Sequence, residues 1–235
     1  MNPDMLAEGL LYYVVFLFST TLHEAAHAWA AMLGGDLTAY HGGQVSLDPR
    51  PHIRREPFGM VVLPLLTTLT SGWPMGFASA PYDPRWAMRY PRRAGWMAVA
   101  GPAANALLVV IAIIVIKVGL FTGLFYAPDR ISFGHLVATD GAGMWPGIAA
   151  FISILLSMNL LLAVLNLIPL PPLDGSAAVL LLMPASTANW YQQMIWTSPM
   201  LGMIGMLAAW RVVNVAFYPV FSTVISFIYP ALYGA

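Results

Sequence analysis

Three residues within one hydrophobic segment have the types and the spacing needed to bind a metal ion and to use it. His23 and His27 are four positions apart and Glu24 lies between them, in the pattern His-Glu-x-x-His. Residues four apart on an α-helix lie one turn apart on one face, so both imidazoles can reach one ion. Zinc suits such ligands, and the neighbouring carboxylate can serve as a general base toward water. The pattern therefore predicts a catalytic zinc site.

A third protein ligand is expected, because a catalytic zinc ion usually takes three and leaves one position for water. His41, His52 and His135 are candidates by type, but the first two lie near polar loops and the third on the opposite side of the expected topology. Asp174 is the better candidate, because it is the only acidic residue after Asp140 and follows a proline-rich break in a hydrophobic stretch. A second role for it, compatible with the first, is to cap the helix that follows.

The composition places these residues in a lipid bilayer. Of 235 residues, 9% are charged and 59% are hydrophobic, whereas about a quarter of the residues are charged in an ordinary soluble domain. So few polar side chains cannot cover a water-soluble globule of this size. The net charge is zero, which disfavours a nucleic-acid partner. Because the sequence contains no cysteine, disulfides and thiolate ligands are excluded.

Four apolar stretches are long enough to cross a bilayer, so we predict an all-α, multi-pass membrane protein. The predicted spans are Leu6–Leu33, 94–120, 147–168 and 199–229. The first is flanked by Asp4 and Glu8 instead of basic residues and lacks a cleavage site, so we expect it to be retained and not removed as a signal peptide. The stretch 57–72 is too short to span and contains Pro64, which favours a re-entrant or interfacial segment.

The chain is expected to form a single membrane-embedded domain over residues 1–235. Its core should cover about residues 6–183, and a C-terminal hydrophobic extension of uncertain path should follow at 196–232. Between the first span and the short segment, residues 38–47 contain two adjacent glycines flanked by apolar residues, which predicts a short β-hairpin.

The distribution of basic residues predicts the orientation in the membrane. Seven of the ten are arginines between residues 34 and 93, namely Arg50, Arg54, Arg55, Arg85, Arg89, Arg92 and Arg93. The positive-inside rule places this region in the cytoplasm. The N-terminus and the loop 121–146 are then outside, and both histidines and Asp174 lie toward the cytoplasmic side.

Three motifs, in this order, resemble the site-2 protease family of intramembrane zinc metalloproteases. The first is the His-Glu-x-x-His motif, the second is Gly-Pro-Ala-Ala-Asn at residues 101–105, and the third is NLIPLPPLDG at residues 166–175. The resemblance covers most of residues 10–185. The sequence departs from the family after Trp73, where many relatives have Lys-Pro-Val, and it leaves no room for a PDZ domain, so we expect a minimal form.

The resemblance implies a core of three transmembrane helices and one zinc ion held by His23, His27 and Asp174. Glu24 would activate water for attack on the scissile carbonyl and then pass the proton to the leaving amine. The implied substrates are transmembrane segments of single-pass membrane proteins. The implied location is a prokaryotic plasma membrane, where an unidentified regulatory or adaptor protein would assist in substrate selection.

Three amides in the predicted spans, Asn105, Asn159 and Asn166, are candidates for stabilising the oxyanion or for positioning the substrate. Hydrogen bonding between packed helices explains each of them equally well. The hairpin predicted at 38–47 offers an edge that can hold an unwound substrate by β-addition, or it shields the site from lipid.

Two other classes of protein are compatible with parts of the sequence. A non-proteolytic membrane scaffold would keep the fold and a metal, but a structural metal site has no use for Glu24 as a base. A metal transporter would need several ligand clusters along a path, and this sequence offers one.

Overall fold

The computed structural model describes the backbone of residues 3–230 and the side chains of residues 6–230, and this part of the chain is mainly helical. Its α-helices, α1 to α10 in chain order, are Pro3–Leu33, Thr38–His41, Pro49–Arg55, Leu63–Ser71, Pro84–Arg89, Pro91–Phe121, Trp145–Asn166, Asp174–Ala178, Ala185–Thr197 and Pro199–Ile228. A π-helical turn at Phe58–Val62 leads into α4, and a 3₁₀ turn at Val179–Leu182 follows α8. Residues 231 and 232, which end the predicted C-terminal extension, lie outside the described residues.

Four of these helices, α1, α6, α7 and α10, are long and apolar enough to cross a membrane. They confirm the four predicted spans and the all-α, multi-pass architecture. A helix makes its backbone hydrogen bonds within its own segment, as a hydrocarbon environment requires. α1 and α6 have 31 residues each, which gives them a length of about 46 Å against a hydrocarbon thickness of about 30 Å. Their ends therefore reach the polar interface.

The core of the molecule lies where α1, α6 and α7 pack against one another. Val15 of α1, Ala112 of α6 and Leu156 of α7 are fully buried there. α7 is the most enclosed of the four long helices. In its apolar 18-residue stretch, 61% is buried, against 22% in the corresponding stretch of α10. Apolar faces left exposed in a chain of this composition are suited to lipid.

The β-hairpin predicted at 38–47 is wrong. This segment contains the short helix α2, and no strand is found in residues 3–230. A tight two-residue hairpin of the common type requires positive φ at both central residues. Gly43 has a φ of +74°, but Gly42 has a φ of −75° and remains right-handed. The two glycines therefore end a helical turn and do not reverse a strand.

A buried carboxylate favours the helical conformation of this segment. Asp36 Oδ1 accepts hydrogen bonds from the Thr38 backbone N–H at 2.9 Å and from the Thr38 hydroxyl at 2.6 Å, which starts α2. Ala39 is then fully buried. Isolated β-bridges do occur elsewhere, in the loop between α6 and α7, where they pair Tyr126 with Ala138 and Ser132 with His135.

The apolar stretch predicted at 57–72 is helical and lies beside α1. Gly9 of α1 faces Thr68 of α4 so closely that a Cβ atom at residue 9 would lie 2.7 Å from the Thr68 methyl group. Pro64 has no N–H to donate to the Met60 carbonyl, and the π-helical turn occurs at this point. Whether the segment is re-entrant or interfacial stays a prediction.

The chain from residue 74 to residue 83 has no helix and no strand partner. It is fixed near both ends by hydrogen bonds to the first part of the chain. The Phe77 N–H donates to the Gly59 carbonyl at 3.1 Å, and the Asp83 N–H donates to Asp36 Oδ2 at 2.8 Å. An open stretch of backbone is thereby held beside the helical core.

The last long helix supports the proline-rich loop that precedes Asp174. Ile168 and Leu173 of that loop pack with Ala209 and Val213 of α10 in one buried cluster. Gly205 of α10 lies so close to the loop that any Cβ atom there would overlap the Pro171 carbonyl. Contacts with α10 therefore help to fix the position of the loop.

Candidate metal centre and cavity

His23 and His27 point their Nε2 atoms at the same place. Both imidazoles are buried on α1, and the two Nε2 atoms are 2.9 Å apart. The Nδ1 atom of His23 faces the side-chain oxygen of Asn105, and Nδ1 of His27 faces the Met97 carbonyl at 2.7 Å. Since an oxygen acceptor requires an N–H donor, both histidines carry their proton on Nδ1. The electron pairs of both Nε2 atoms remain available to a ligand.

Asp174 supplies the third atom of the cluster. It is the first residue of α8, and its Oδ2 lies 3.0 Å from His23 Nε2 and 3.2 Å from His27 Nε2. The three residues form the group of possible metal ligands in residues 6–230. Asp174 is 147 positions after His27 in the sequence, and the break after α7 returns the chain to the two histidines.

The donor set fits zinc. Tetrahedral zinc with bond lengths of about 2.0–2.1 Å keeps its ligand atoms roughly 3.3 Å apart. The three edges of this triangle measure 2.9, 3.0 and 3.2 Å. Three unprotonated electron-pair donors at these distances repel one another, and a shared cation would relieve that repulsion. Two imidazoles and a carboxylate are also the ligand types of a catalytic site that keeps one position for water.

Gly101 makes room for this triangle. A Cβ atom at residue 101 would overlap the Nε2 atoms of both His23 and His27. The backbone of α6 thus forms one wall of the site at a position where only glycine fits. Gly101 belongs to a motif found in the sequence, but its role could not be predicted. That role depends on the contact between α6 and the two histidines of α1.

Glu24 lies beside the cluster with one oxygen unused. Its side chain is buried, and Oε2 has no hydrogen-bond partner among residues 6–230. A buried carboxylate oxygen without a donor is unfavourable unless water or a substrate group satisfies it. Glu24 also lines a cavity of about 370 Å³ together with His27 and Asp174. Glu24 therefore lies at the cavity beside the metal ligands, with its Oε2 buried behind the cavity surface.

Small apolar residues and three aromatic residues form much of the remaining wall of this cavity. Six alanines contribute, Ala78, Ala80, Ala87, Ala94, Ala98 and Ala177. Tyr82 from the segment at residues 74–83 and Trp196 from α9 approach each other with ring centroids 6.4 Å apart. Burial raises the pKa of the Tyr191 phenol, another lining residue, above its ordinary value, so it stays protonated and able to donate at neutral pH.

Two of the three predicted asparagines belong to a buried chain of hydrogen bonds that ends at His23. The Asn105 amide N–H donates to the Asn159 side-chain oxygen at 2.8 Å, and the Asn159 amide N–H donates to the Ser19 hydroxyl at 2.9 Å. None of these three side chains is exposed. This series of hydrogen bonds, which we call the relay, connects α6, α7 and α1. This connection was not predicted from the sequence, because it joins residues of three different helices.

The third asparagine and the remaining histidines lie elsewhere. Asn166 donates to the Leu162 carbonyl of its own helix at 3.0 Å. His52 is buried and donates from Nε2 to the Ser46 carbonyl at 3.0 Å. His41 and His135 are exposed. The structure therefore brings together His23, His27 and Asp174, with Glu24 alongside.

Comparison with known proteins agrees with this geometry. The model of peptidase family M50, the site-2 protease family, matches residues 11–208. The Bacillus subtilis protein named "putative zinc metalloprotease YwhC" is 34% identical over 170 residues, which cover 71% of this chain and 67% of that protein. The Mycobacterium tuberculosis protein named "putative zinc metalloprotease Rip2" is 32% identical over 164 residues, which cover 70% of this chain and 54% of that protein. This chain thus matches about half of Rip2. No solved structure matches significantly.

Proposed function

Because the chain belongs to peptidase family M50, we propose that it is an intramembrane zinc endopeptidase that cleaves transmembrane segments of membrane proteins. One observation carries the proposal: Glu24, whose buried Oε2 has no hydrogen-bond partner among residues 6–230, lines the same cavity as two of the three converging ligand residues. A purely structural metal site has no need for a free carboxylate next to the ion. The metalloprotease names of the relatives support the same reaction class.

His23, His27 and Asp174 would hold one zinc ion per chain through Nε2, Nε2 and Oδ2. When bound, the ion would supply Lewis acidity toward the scissile carbonyl and the attacking water. Glu24 Oε2 then accepts a proton from that water and donates it to the nitrogen of the leaving amine. The burial of Glu24 keeps its orientation fixed and limits competing solvent.

Asn105 and Asn159 act as positioning residues in this proposal. The Asn105 side-chain oxygen holds the proton of His23 on Nδ1, and Asn159 holds the amide of Asn105 in the orientation that does so. The Asn159 amide donates to the Ser19 hydroxyl and the Leu155 carbonyl, whereas the Asn105 amide donates one of its two N–H bonds to Asn159. A role of Asn105 or Asn159 toward the oxyanion stays a prediction. For Asn166, a role in substrate positioning remains a prediction.

An unwound substrate would pair with the segment at residues 74–83, which has neither helix nor strand of its own. A peptide bond within a helix is shielded by its own hydrogen bonds, so the substrate helix has to open before cleavage. Ala78 and Ala80 line the cavity, and among the described residues their backbone groups make no hydrogen bond. Free backbone groups along an extended segment are what β-addition uses. This segment takes the place that the erroneous hairpin was expected to have.

The proposed orientation has the N-terminus outside and the cavity toward the cytoplasm. The seven arginines between residues 34 and 93 support it through the positive-inside rule. Single-pass membrane proteins in a prokaryotic plasma membrane are the proposed substrates, selected directly or with an adaptor protein.

The test compares the wild-type chain with Glu24→Gln after reconstitution with model single-pass substrates. We expect Glu24→Gln to retain zinc in a one-to-one ratio and to lose cleavage by at least about a hundredfold, the scale of general-base catalysis. Equal cleavage by both proteins would refute the proposal.

A second variant tests the ligand assignment separately. Asp174→Ala removes one of the three ligand atoms, so zinc content measured by mass spectrometry or atomic absorption should fall together with cleavage. Retention of full zinc content and activity by Asp174→Ala would show that another residue completes the site.

A further inference from the structure

Arg211 lies on the outer face of a membrane-length helix. The residues of α10 that pack on the rest of the protein in this region are Gly205, Ala209, Val213 and Phe217. At 100° per residue these four residues lie around the direction opposite to Arg211. Arg211 is exposed, as are its neighbours on the same face. It therefore points away from the protein.

This position is inside the bilayer. α10 has 30 residues, which gives a length of about 45 Å, and Arg211 lies about 18 Å from its first residue. A hydrocarbon layer of about 30 Å placed anywhere along this length contains Arg211. The residue then lies about 3 to 18 Å from the boundary on the side where the helix begins. The exposed side chains around it include Leu207, Trp210 and Val215, which are 67%, 61% and 75% exposed. Such a surface faces lipid.

Two further polar side chains continue the line of Arg211 along the helix. Asn214 and Tyr218 are three and seven positions further on and are also exposed. Spacings of three and four residues place them on one face. We refer to Arg211, Asn214 and Tyr218 as the α10 stripe. Within residues 6–230, none of the three side chains makes a hydrogen bond or an ion pair.

Among residues 6–230, no carboxylate lies within ion-pair distance of Arg211. Asp174 is the only acidic residue after Asp140, and its carboxylate oxygen lies against the two histidines. The other cation in the long helices differs in this respect, because the Lys117 ammonium lies 4.7 Å from the centre of the Phe227 ring. An unpaired guanidinium in hydrocarbon is unfavourable, and its natural partner is a carboxylate, which it can bind through two parallel hydrogen bonds.

We propose that the α10 stripe docks a transmembrane segment of another membrane protein that carries an Asp or Glu within its span. The guanidinium of Arg211 binds the carboxylate, and the Asn214 amide and Tyr218 hydroxyl bind polar groups of the same segment one and two turns further along. A soluble partner does not fit, because the stripe lies at bilayer depth. The inference is independent of the proposed protease activity, since this face is opposite to the one that supports the Asp174 loop.

Energy transfer in vesicles can test the docking site. The sequence contains no cysteine, and a Cβ atom at Gly202 of α10 meets no other atom within 4 Å, so Gly202→Cys provides one site for a donor dye. The probes are three dye-labelled single-span Leu-Ala peptides with a central Glu, Gln or Lys. The protein carries Glu24→Gln so that no peptide can be cleaved, and the vesicles consist of phosphatidylcholine.

We expect the Glu peptide to bind about tenfold more tightly than the Gln peptide, at the upper end of what one interhelical polar contact contributes in a bilayer. Arg211→Gln should abolish this preference, and Arg211→Glu should transfer it to the Lys peptide. Lys117→Gln is the matched control, because it removes an equal charge that already has a partner, and it should leave the preference unchanged.

Several outcomes would overturn the proposal. Equal binding of the Glu and Gln peptides to the protein that retains Arg211 would overturn it. If the preference disappears in vesicles that contain phosphatidylglycerol, Arg211 binds lipid phosphate. If differently labelled copies of the protein associate through Arg211 and exclude the peptide, the partner is a second copy of this chain.

Discussion

The two sides of the candidate metal site are built in different ways. The histidines lie in the last third of a 31-residue helix, and both Nδ1 atoms have an acceptor on α6. Asp174 starts a helix of five residues after an irregular loop, and its side chain is 22% exposed. Among residues 6–230, its carboxylate contacts no hydrogen-bonding group other than the histidines.

This difference indicates which half of the site is preorganised. The histidine half keeps its geometry through buried contacts between long helices, which are costly to rearrange. The Asp174 half depends on the packing of its loop against α10. Changes to the histidine half should therefore reduce zinc affinity more than changes to the packing behind Asp174.

The largest effect is expected from Gly101→Ala. The new methyl group would overlap both Nε2 atoms, so zinc content should fall to the background level. The measurement is the zinc-to-protein ratio after purification. Gly147→Ala in α7 is the matched control, because its methyl group would meet no atom within 4 Å. A Gly101→Ala protein with a full complement of zinc would show that α6 does not form the wall of the site.

A smaller effect is expected from Asn105→Leu, which removes the acceptor of the His23 Nδ1–H. Loss of such a partner typically lowers metal affinity by about 10- to 100-fold. The affinity is measured by competition with a zinc chelator. The visible spectrum of the cobalt-substituted protein should also change, which a purely structural defect far from the metal would not cause. An unchanged spectrum and affinity would mean that Asn105 only joins helices.

Gly205→Ala should have a weaker effect, through the Asp174 half. The added methyl group would overlap the Pro171 carbonyl and push the loop away from α10. Overpacking of this kind costs about 1–3 kcal/mol, and we expect zinc affinity to fall less than in Asn105→Leu. Gly202→Ala in the same helix is the control, because it meets open space. If Gly205→Ala lowers affinity more than Asn105→Leu does, the ranking of the two halves is wrong.

The smallest effect is expected from Asn166→Leu. Its amide donates to a carbonyl of its own helix and does not join the buried relay. Zinc affinity should stay within about twofold of the wild-type value, since no contact of the ligands is lost. A marked loss of cleavage with unchanged zinc affinity would instead support the predicted role of Asn166 in substrate positioning.

The parts of the structure that follow from local rules were predictable. Long apolar runs identified the four spans, and residue types with helical spacing identified His23, Glu24 and His27. Asp174 was found because an isolated acidic residue beside a proline-rich break needs a partner. Each of these signals is contained in a short stretch of sequence.

The features that could not be predicted depend on contacts between distant segments. The role of Gly101 and the chain from Ser19 through Asn159 exist only once three helices have packed. The hairpin prediction failed because two adjacent glycines favour several turns, and the buried Asp36 carboxylate selects the helical one. Local preference is a weak guide where a tertiary hydrogen bond decides between conformations.

The positions of the relay and ligand residues along the chain determine the order in which the site is assembled. α1 and α6 precede α7 and α8 along the chain, so both histidines, Glu24 and Asn105 are synthesised before Asn159 and Asp174. During that interval the nascent chain has two of the three metal ligands and no complete relay. The candidate metal site therefore becomes complete only when α7 and the loop that carries Asp174 have joined α1 and α6.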